Sequence, residues 1–243
     1  MFTIFRKEIN GFLSTITGYL VIVVFLVLNI LFIWIFPGQF NLPEGGYASL
    51  DTLFSLSPWM FLFLVPAITM RMIADERRSG TLELLYTRPV TELQIVLAKF
   101  LASWFLVFLS LLPTLVFFWS VSRLGNPPGN IDAGGTWGSY IGLLFLGGIY
   151  ASIGIFASSC TDNQIVSFLL ALLLSFFFYL GFELISGIAG KGTVAFFISG
   201  LGIDYHYNAI SRGVIDTRDL VYFISMMTLF VLSARLVLQK RKW

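Results

Sequence analysis

The charged residues that could take part in chemistry are concentrated in one short segment of an otherwise apolar chain. Residues 74–90, ADERRSGTLELLYTRPV, hold six Asp, Glu or Arg residues between two long apolar runs. Gly80 and Pro89 bracket about two helical turns that begin at Thr81, because the residue before a proline disfavours helical backbone. An isolated helix this short is marginal in water. It must therefore pack against the rest of the chain, against a partner, or against both.

The residue types in this segment suit recognition of another protein rather than catalysis. Helical spacing forms one apolar stripe, which consists of Leu82, Leu85 and Tyr86. Arginines beside an apolar span, such as Arg88, often do no more than fix the orientation of that span in a membrane. That interpretation explains the basic residues. It does not explain the stripe or the glutamates Glu76 and Glu83, which favour docking into a groove of a partner.

Two residues elsewhere could contact a transported molecule or handle protons. Glu183 is the one acidic residue well inside an apolar run, and ionisable groups in such places are commonly functional. His206 lies between two tyrosines, but a single histidine without further ligands at metal spacing is a weak indication of a metal site. The alternatives are a site that includes Glu183 and His206, or two residues at a membrane–water boundary.

The segment 187–193, GIAGKGT, resembles a phosphate-binding loop but does not fit that motif. A P-loop requires G-x-x-x-x-G-K-[ST], whereas here Lys191 is followed by Gly192, and Ile185 occupies the position of the first glycine. The sequence therefore predicts no catalytic residue, bound cofactor or metal in this chain, and the chain is not expected to be an enzyme. Any use of ATP would require a partner.

Membrane helices are predicted to carry all of these residues. Of the 243 residues, 57% are apolar and 12% are charged, against about 25% charged in a typical soluble domain. The apolar runs are continuous and roughly 20 residues long, which an α-helix needs to cross a bilayer. The predicted spans are 18–36, 53–73, 93–121, 139–159, 165–184 and 220–238. Thr91 and Gln94 form a predicted capping box before the third span.

The distribution of Lys and Arg predicts the orientation of the spans. With both termini in the cytoplasm, eleven of these residues lie on the cytoplasmic side and four on the exported side, as the positive-inside rule requires. Residues 74–90 are then cytoplasmic, and Glu183 and His206 fall on the exported side.

Two segments are expected to lie along the membrane surface. Residues 2–16 form a predicted interfacial amphipathic helix with Arg6, Lys7 and Asn10 on its polar face. Its apolar face consists of Phe2, Phe5, Ile9, Phe12, Leu13 and Ile16. Residues 193–203 are apolar but too short to cross, which predicts a short re-entrant or interfacial helix between spans 5 and 6. The predicted fold is that of an all-α integral membrane protein with six transmembrane helices.

The whole chain resembles the permease subunits of type-2 ABC exporters (ABC-2 type). Residues 76–90, ERRSGTLELLYTRPV, follow that family's pattern E-R-x-x-G-T-L-E-x-L-x-x-x-P-V. In the family this is the cytoplasmic coupling helix between spans 2 and 3, which sits in a cleft of a separate ATPase subunit. The resemblance assigns the ATPase-coupling interface to Glu76, Arg77, Gly80, Thr81, Glu83 and Arg88, and a second contact to the interfacial helix with Phe5, Arg6 and Lys7.

The same resemblance implies partners and a location. It implies one permease domain over residues 1–243 in the bacterial inner membrane, with an ATP-binding-cassette ATPase dimer that holds ATP and magnesium. Residues 1–22 and 203–223 are similar to the gliding-motility-associated permeases (GldF type) of Bacteroidetes. That narrower similarity implies a second, different permease subunit with a large exported domain. The lipid bilayer is an expected partner and nucleic acid is not.

One other class of protein stays open at the level of sequence. The chain could be an ion-coupled carrier, or a membrane scaffold, without any ATPase. Few polar groups lie inside the spans and no inverted repeat is visible, which argues against a carrier. A scaffold could use the same fold without moving cargo.

Overall fold

A computed structural model describes residues 1–86, 89–188, 190, 192–213 and 216–240, and of residues 84–86 the backbone alone. Helix makes up 82% of the structure, and the described ranges contain no strand. This confirms the all-α fold class. In chain order the helices are α1 (Phe2–Leu13), α2 (Ile16–Ile30), α3 (Leu42–Gly45), α4 (Asp51–Thr69), α5 (Ala74–Arg78), α6 (Thr81–Tyr86), α7 (Glu92–Leu111), α8 (Leu115–Leu124), α9 (Ala133–Cys160), α10 (Gln164–Phe176), α11 (Phe182–Ile188), α12 (Thr193–Ser199), α13 (Ile203–Ser211) and α14 (Thr217–Lys240).

Six helical stretches in the described part of the chain are long and apolar enough to cross a membrane, which confirms the predicted number. Spans 1 to 6 are Ile16–Ile35, Asp51–Arg78, Glu92–Leu124, Ala133–Cys160, Gln164–Ile188 and Thr217–Lys240. Span 1 ends in a π-helical turn, Leu31–Ile35, and span 5 contains another, Phe177–Gly181. Observed starts lie within three residues of the predictions except in span 4.

Capping side chains set two of these starts. The Thr91 hydroxyl accepts a hydrogen bond from the Gln94 N–H at 3.3 Å, and the Gln94 side chain accepts one from the Thr91 N–H at 3.2 Å. This confirms the predicted capping box. Span 4 begins six residues before the predicted 139, because the Asp132 carboxylate caps the helix by accepting from the Gly135 N–H at 3.0 Å. The glycines after Asp132 are weak helix formers, which hid this first turn in the sequence.

Span 4 lies at the centre of the bundle. In its most apolar window 78% of the residues are buried, against 61% in spans 2 and 3 and less than a third in spans 1, 5 and 6. The Trp104 indole of span 3 donates to the Leu144 carbonyl of span 4 at 2.8 Å. Phe145 and Phe156 contact Phe223 and Phe230 of span 6 in the same order along both helices, so spans 4 and 6 run parallel.

The N-terminal helix confirms one prediction and corrects another. It is helical from Phe2 to Leu13 rather than to residue 16, and Ile16 already belongs to span 1. Of the predicted apolar face, Phe12 is buried in the bundle, whereas Phe2 is 74% exposed. Ile4 and Glu8, which lie outside the predicted face, also face inward, and Glu8 has an ionic partner in span 3.

Short helices connect spans 5 and 6, as predicted. The apolar segment that begins at residue 193 contains α12 and leads into α13. The α13 helix is anchored on the bundle through Tyr207, whose hydroxyl donates to the Phe54 carbonyl at 2.7 Å. We name the two ends of the bundle after their short helices: the α6 end, where α1, α5 and α6 lie, and the α13 end.

Candidate functional site

The α6 end begins where span 2 is interrupted. The α4 helix ends at Thr69 and α5 begins at Ala74, which frees backbone groups of the intervening turn. The Ser158 hydroxyl of span 4 accepts hydrogen bonds from the N–H groups of Ile73 and Ala74, at 3.0 Å each, and donates to the Met70 carbonyl at 3.1 Å. Freed backbone groups inside a membrane bundle need such partners. One side chain therefore fixes the direction in which α5 leaves span 2.

Four charged side chains form an ion cluster beside this interruption: Lys7, Glu8, Glu76 and Lys99. The Lys99 Nζ atom of span 3 lies 2.7 Å from Glu8 Oε1 and 2.8 Å from Glu76 Oε2. It also donates to the Met72 carbonyl at 2.6 Å. Lys7 Nζ lies 2.5 Å from Glu76 Oε1. The Glu76 carboxylate thus bridges two ammonium groups that belong to different helices.

The centre of the ion cluster is withdrawn from water, whereas Lys7 at its edge is 58% exposed, and the four formal charges sum to zero. The Lys99 side chain is 0% exposed, and those of Glu76 and Glu8 are 11% and 13% exposed. An ammonium group has three donors, and three oxygens surround that of Lys99. Burial is compensated here by pairing, which is the condition under which charges persist in a low-dielectric interior.

The surroundings of Lys7 favour its charged form. Burial lowers the pKa of the Lys7 ammonium, but the hydrogen bonds and charges of Glu76 and Glu8 outweigh burial and raise the pKa above its ordinary value. The pair therefore contributes stability below the ordinary lysine pKa. That contribution is lost only as the pH rises through the raised value.

A second set of contacts holds α5 against the turn between spans 4 and 5. The Arg77 guanidinium lies 2.6 Å from the Asp162 carboxylate and donates to the Ser159 carbonyl at 2.7 Å. The Gln164 amide donates to the Asp75 carboxylate at 2.7 Å. Glu76 and Arg77, both predicted at a partner interface, thus make contacts within their own chain.

The α6 helix presents part of the predicted interface to the outside. Gly80, with φ +72°, forms the turn between α5 and α6, in a backbone region that favours glycine. Thr81 and Glu83 are exposed. Leu82 is only 8% exposed and packs in the core of its own chain, so the predicted stripe is not a single docking face. The side chains of Leu85 and Tyr86 lie outside the described parts of the chain, as does Arg88.

The interfacial helix contributes to the site unevenly. Arg6 is exposed, whereas Phe5 is partly buried and its ring meets the Phe105 ring edge-on at 6.0 Å between centroids. Lys7 is the member that reaches the coupling segment. The α1 helix is therefore joined to α5 through charge and to span 3 through both charge and packing.

Glu183 and His206 lie at the α13 end but in different surroundings. Glu183 is exposed and lines a cavity of about 660 Å³ together with Asp51, Asp204 and Arg212. His206 is held by the Asp219 carboxylate at 2.6 Å from Nδ1 and by the Gly200 carbonyl at 2.9 Å from Nε2. The structure therefore gives Glu183 a place in a cavity wall and His206 a place in a helix junction.

Lys99, Glu8 and Asp219 are missing from the sequence-based prediction of functional residues. Lys99 had counted only as one of the basic residues that set orientation, although an ionisable residue eight positions into a span is itself a functional signal. Glu8 could be found from its spacing of four residues to Ile4 and Phe12 on the buried face. Asp219 gives no local signal, because its partner lies in another helix.

The fold is that of a multi-pass helical membrane protein in which ion pairs hold the short helix α5 at one end of the bundle. Residues 38–234, about four fifths of the chain, match the sequence profile of a family described as ABC-2 family transporter protein. The chain belongs to this family and is a transmembrane permease component of an ABC transporter, whose family implies an ABC ATPase subunit as partner. No curated protein sequence matches the chain. The α1 helix precedes the matched residues.

Proposed function

We propose that this permease couples ATP hydrolysis by a separate ABC ATPase dimer to a conformational change of its six spans, and that α6 is the contact. The observation that carries the proposal is the exposed pair Thr81 and Glu83 on a short helix, directly after a segment that is ion-paired to α1, span 3 and the turn after span 4. Because α6 is exposed and the segment before it is fixed to the bundle, a displacement of α6 can be transmitted to the spans. ATP and magnesium bind in the partner subunit.

The orientation and partners follow from the charges and from the resemblance to gliding-motility permeases. The chain is one permease domain in a bacterial inner membrane, with both termini and the α6 end in the cytoplasm. Its dimer partner is a second permease with a large exported domain. The complex serves gliding motility by exporting a cargo or by transmitting force.

The test is the charge reversal Glu83→Arg in complexes purified in mild detergent through a tag on this chain. The ATPase and the second permease are expected to co-purify with the wild-type chain. Glu83→Arg should reduce ATP turnover to the rate of the isolated ATPase, because it places a cation where the partner meets an anion. Arg123→Glu is the matched control, since Arg123 is an exposed residue outside the α6 end.

Two results would contradict the proposal. One is the recovery of no ATPase with the wild-type chain, even after cross-linking at residues 81–83, which would favour a scaffold without an ATPase. The other is unchanged turnover in Glu83→Arg complexes of normal composition.

For the gliding role, cells that carry Glu83→Arg should contain normal amounts of the chain in the membrane and fail to spread on a surface.

A further inference from the structure

The burial of Lys99 calls for an explanation beyond stability. Its side chain is 0% exposed, eight residues into span 3, and faces Glu8, Glu76 and the Met72 carbonyl. A buried ion pair is commonly no more stabilising than well-packed apolar residues of the same volume. What such a pair adds is one fixed geometry, because its members tolerate little displacement from their partners.

The ion cluster joins three elements of the fold. Glu8 and Lys7 belong to α1, Glu76 belongs to α5, and Lys99 belongs to span 3. Glu76 precedes the α6 helix by five residues, and the Thr81 hydroxyl lies 3.3 Å from the Glu76 carbonyl. The side chain of Glu76 is therefore paired to α1 and span 3, while its backbone contacts the first residue of α6.

On each side of α5 the backbone contains a turn that could bend, so that a displacement of α6 would not reach the spans. Gly80 forms the turn on one side, and the interruption between Thr69 and Ala74 lies on the other. A further ionic link joins the Arg77 guanidinium, which is 10% exposed, to the Asp162 carboxylate, which is 58% exposed. Solvent weakens a pair with an exposed member, and the Lys7–Glu76 pair is of the same kind. The pairs of Lys99 with Glu8 and Glu76 are the buried link.

We infer that Lys99 is a positioning residue of the coupling mechanism: together with Glu8 it holds Glu76, so that a displacement of α6 moves span 3 and α1 with it. The inference rests on the proposed function of α6. It differs from that proposal because the Lys99 side chain is 0% exposed and that of Glu8 is 13% exposed, each paired within this chain. They act through Glu76, and their loss leaves the docking residues Thr81 and Glu83 in place.

The experiment compares variants in purified complexes reconstituted in lipid, with ATPase content and ATP turnover measured separately. Lys99→Met removes the central cation, and Glu8→Gln removes one of its partners at a partly exposed position. Both variants should bind the ATPase at wild-type stoichiometry. Their stimulation of ATP turnover should fall about tenfold, within the roughly 5–150-fold range typical of coupling between sites.

Two further variants separate positioning from simple structural support. Lys99→Arg keeps the charge and should retain most of the stimulation. The double variant Glu8→Gln/Lys99→Met should lose no more than Lys99→Met alone, because members of one network are not additive. If Lys99→Met fails to assemble, Glu8→Gln alone decides the outcome.

Normal stimulation in assembled Lys99→Met or in Glu8→Gln complexes would overturn the inference. Failure of the proposed function has a different signature, since Glu83→Arg would then leave turnover unchanged. A complex in which Glu83→Arg abolishes stimulation and the ion-cluster variants do not would retain α6 as the contact and remove Lys99 from the mechanism.

Discussion

Individual glycines determine how closely span 4 approaches its neighbours. A Cβ atom added at Gly154 would lie 2.0 Å from the Thr69 hydroxyl oxygen, and one added at Gly147 would lie 2.6 Å from a Val107 methyl. Thr69 is fully buried and donates to the Val65 carbonyl at 3.0 Å. Packing and this hydrogen bond therefore hold it in place. Small residues at such contacts allow helices in membranes to approach closely.

We expect Gly154→Val to destabilise the protein by about 1–3 kcal/mol, the usual cost of overpacking a filled core. The measurement is thermal unfolding of the purified chain in detergent. Gly11→Ala is the matched control, because no atom lies within 4 Å of a Cβ added at Gly11 in α1. Alanine is also the better helix former there. Equal transition temperatures for wild type and Gly154→Val would contradict the close approach.

Residue types singled out Glu76 and Lys7 but did not predict the ion cluster that joins them. Glu76 could be singled out because a carboxylate among arginines is not required for orientation in a membrane. Its partner Lys99 is 23 positions away, and Glu8 and Lys99 are separated by 91 positions. Spacing predicts contacts within one helix. It cannot predict which buried charge of another helix a side chain will meet.

Among the elements, α13 is held at the start of span 6 by a buried polar contact. The His206 ring lies between the Asp219 carboxylate and the Gly200 carbonyl, and it stacks on the Tyr222 ring at 3.9 Å between centroids. Asp219 is 6% exposed. The junction thus connects the end of α12, the α13 helix and span 6 through one side chain.

We expect His206→Leu to loosen this junction, because it leaves a buried carboxylate without its partner. Such a loss costs roughly 1–3 kcal/mol. Hydrogen exchange of backbone amides in 203–213 should accelerate, while that of span 4 should not change. The double variant His206→Leu/Asp219→Leu should recover part of the protection, since no unpaired carboxylate remains. Asn208→Ala, on the exposed side of α13, is the control, and similar acceleration in it would contradict the role of His206.

Sequence predicted elements best where one physical requirement dominates. Six apolar runs of bilayer length gave six spans, and the Thr91–Gln94 pair gave the start of span 3. The inward face of α1 was predicted only in part, because hydrophobicity selected the buried Phe12 together with the exposed Phe2 and missed the buried Ile4 and the Glu8–Lys99 ion pair. The first turn of span 4 escaped prediction because its helix depends on the Asp132 cap rather than on apolar side chains.

At the scale of the whole molecule, spans 2, 3 and 4 form the core and spans 1, 5 and 6 surround it. In the most apolar window of each outer span, less than a third of the residues are buried within this chain. The outer spans therefore hold the exposed surface that would meet lipid and the proposed second permease. The α6 end and the α13 end then face opposite sides of the membrane, and the excess of basic residues predicts that the α6 end is cytoplasmic.

The single cysteine allows this orientation to be tested on the intact protein. Cys160, the last residue of span 4, is partly exposed at the α6 end, whereas Tyr47 is 82% exposed in the loop between spans 1 and 2. A membrane-impermeant maleimide should label Cys160 only after the inner membrane is permeabilised. The variant Tyr47→Cys in a Cys160→Ser background should be labelled in intact cells. The reverse pattern would place α6 outside the cell, where no ATPase could reach it, and would contradict both the topology and the coupling role.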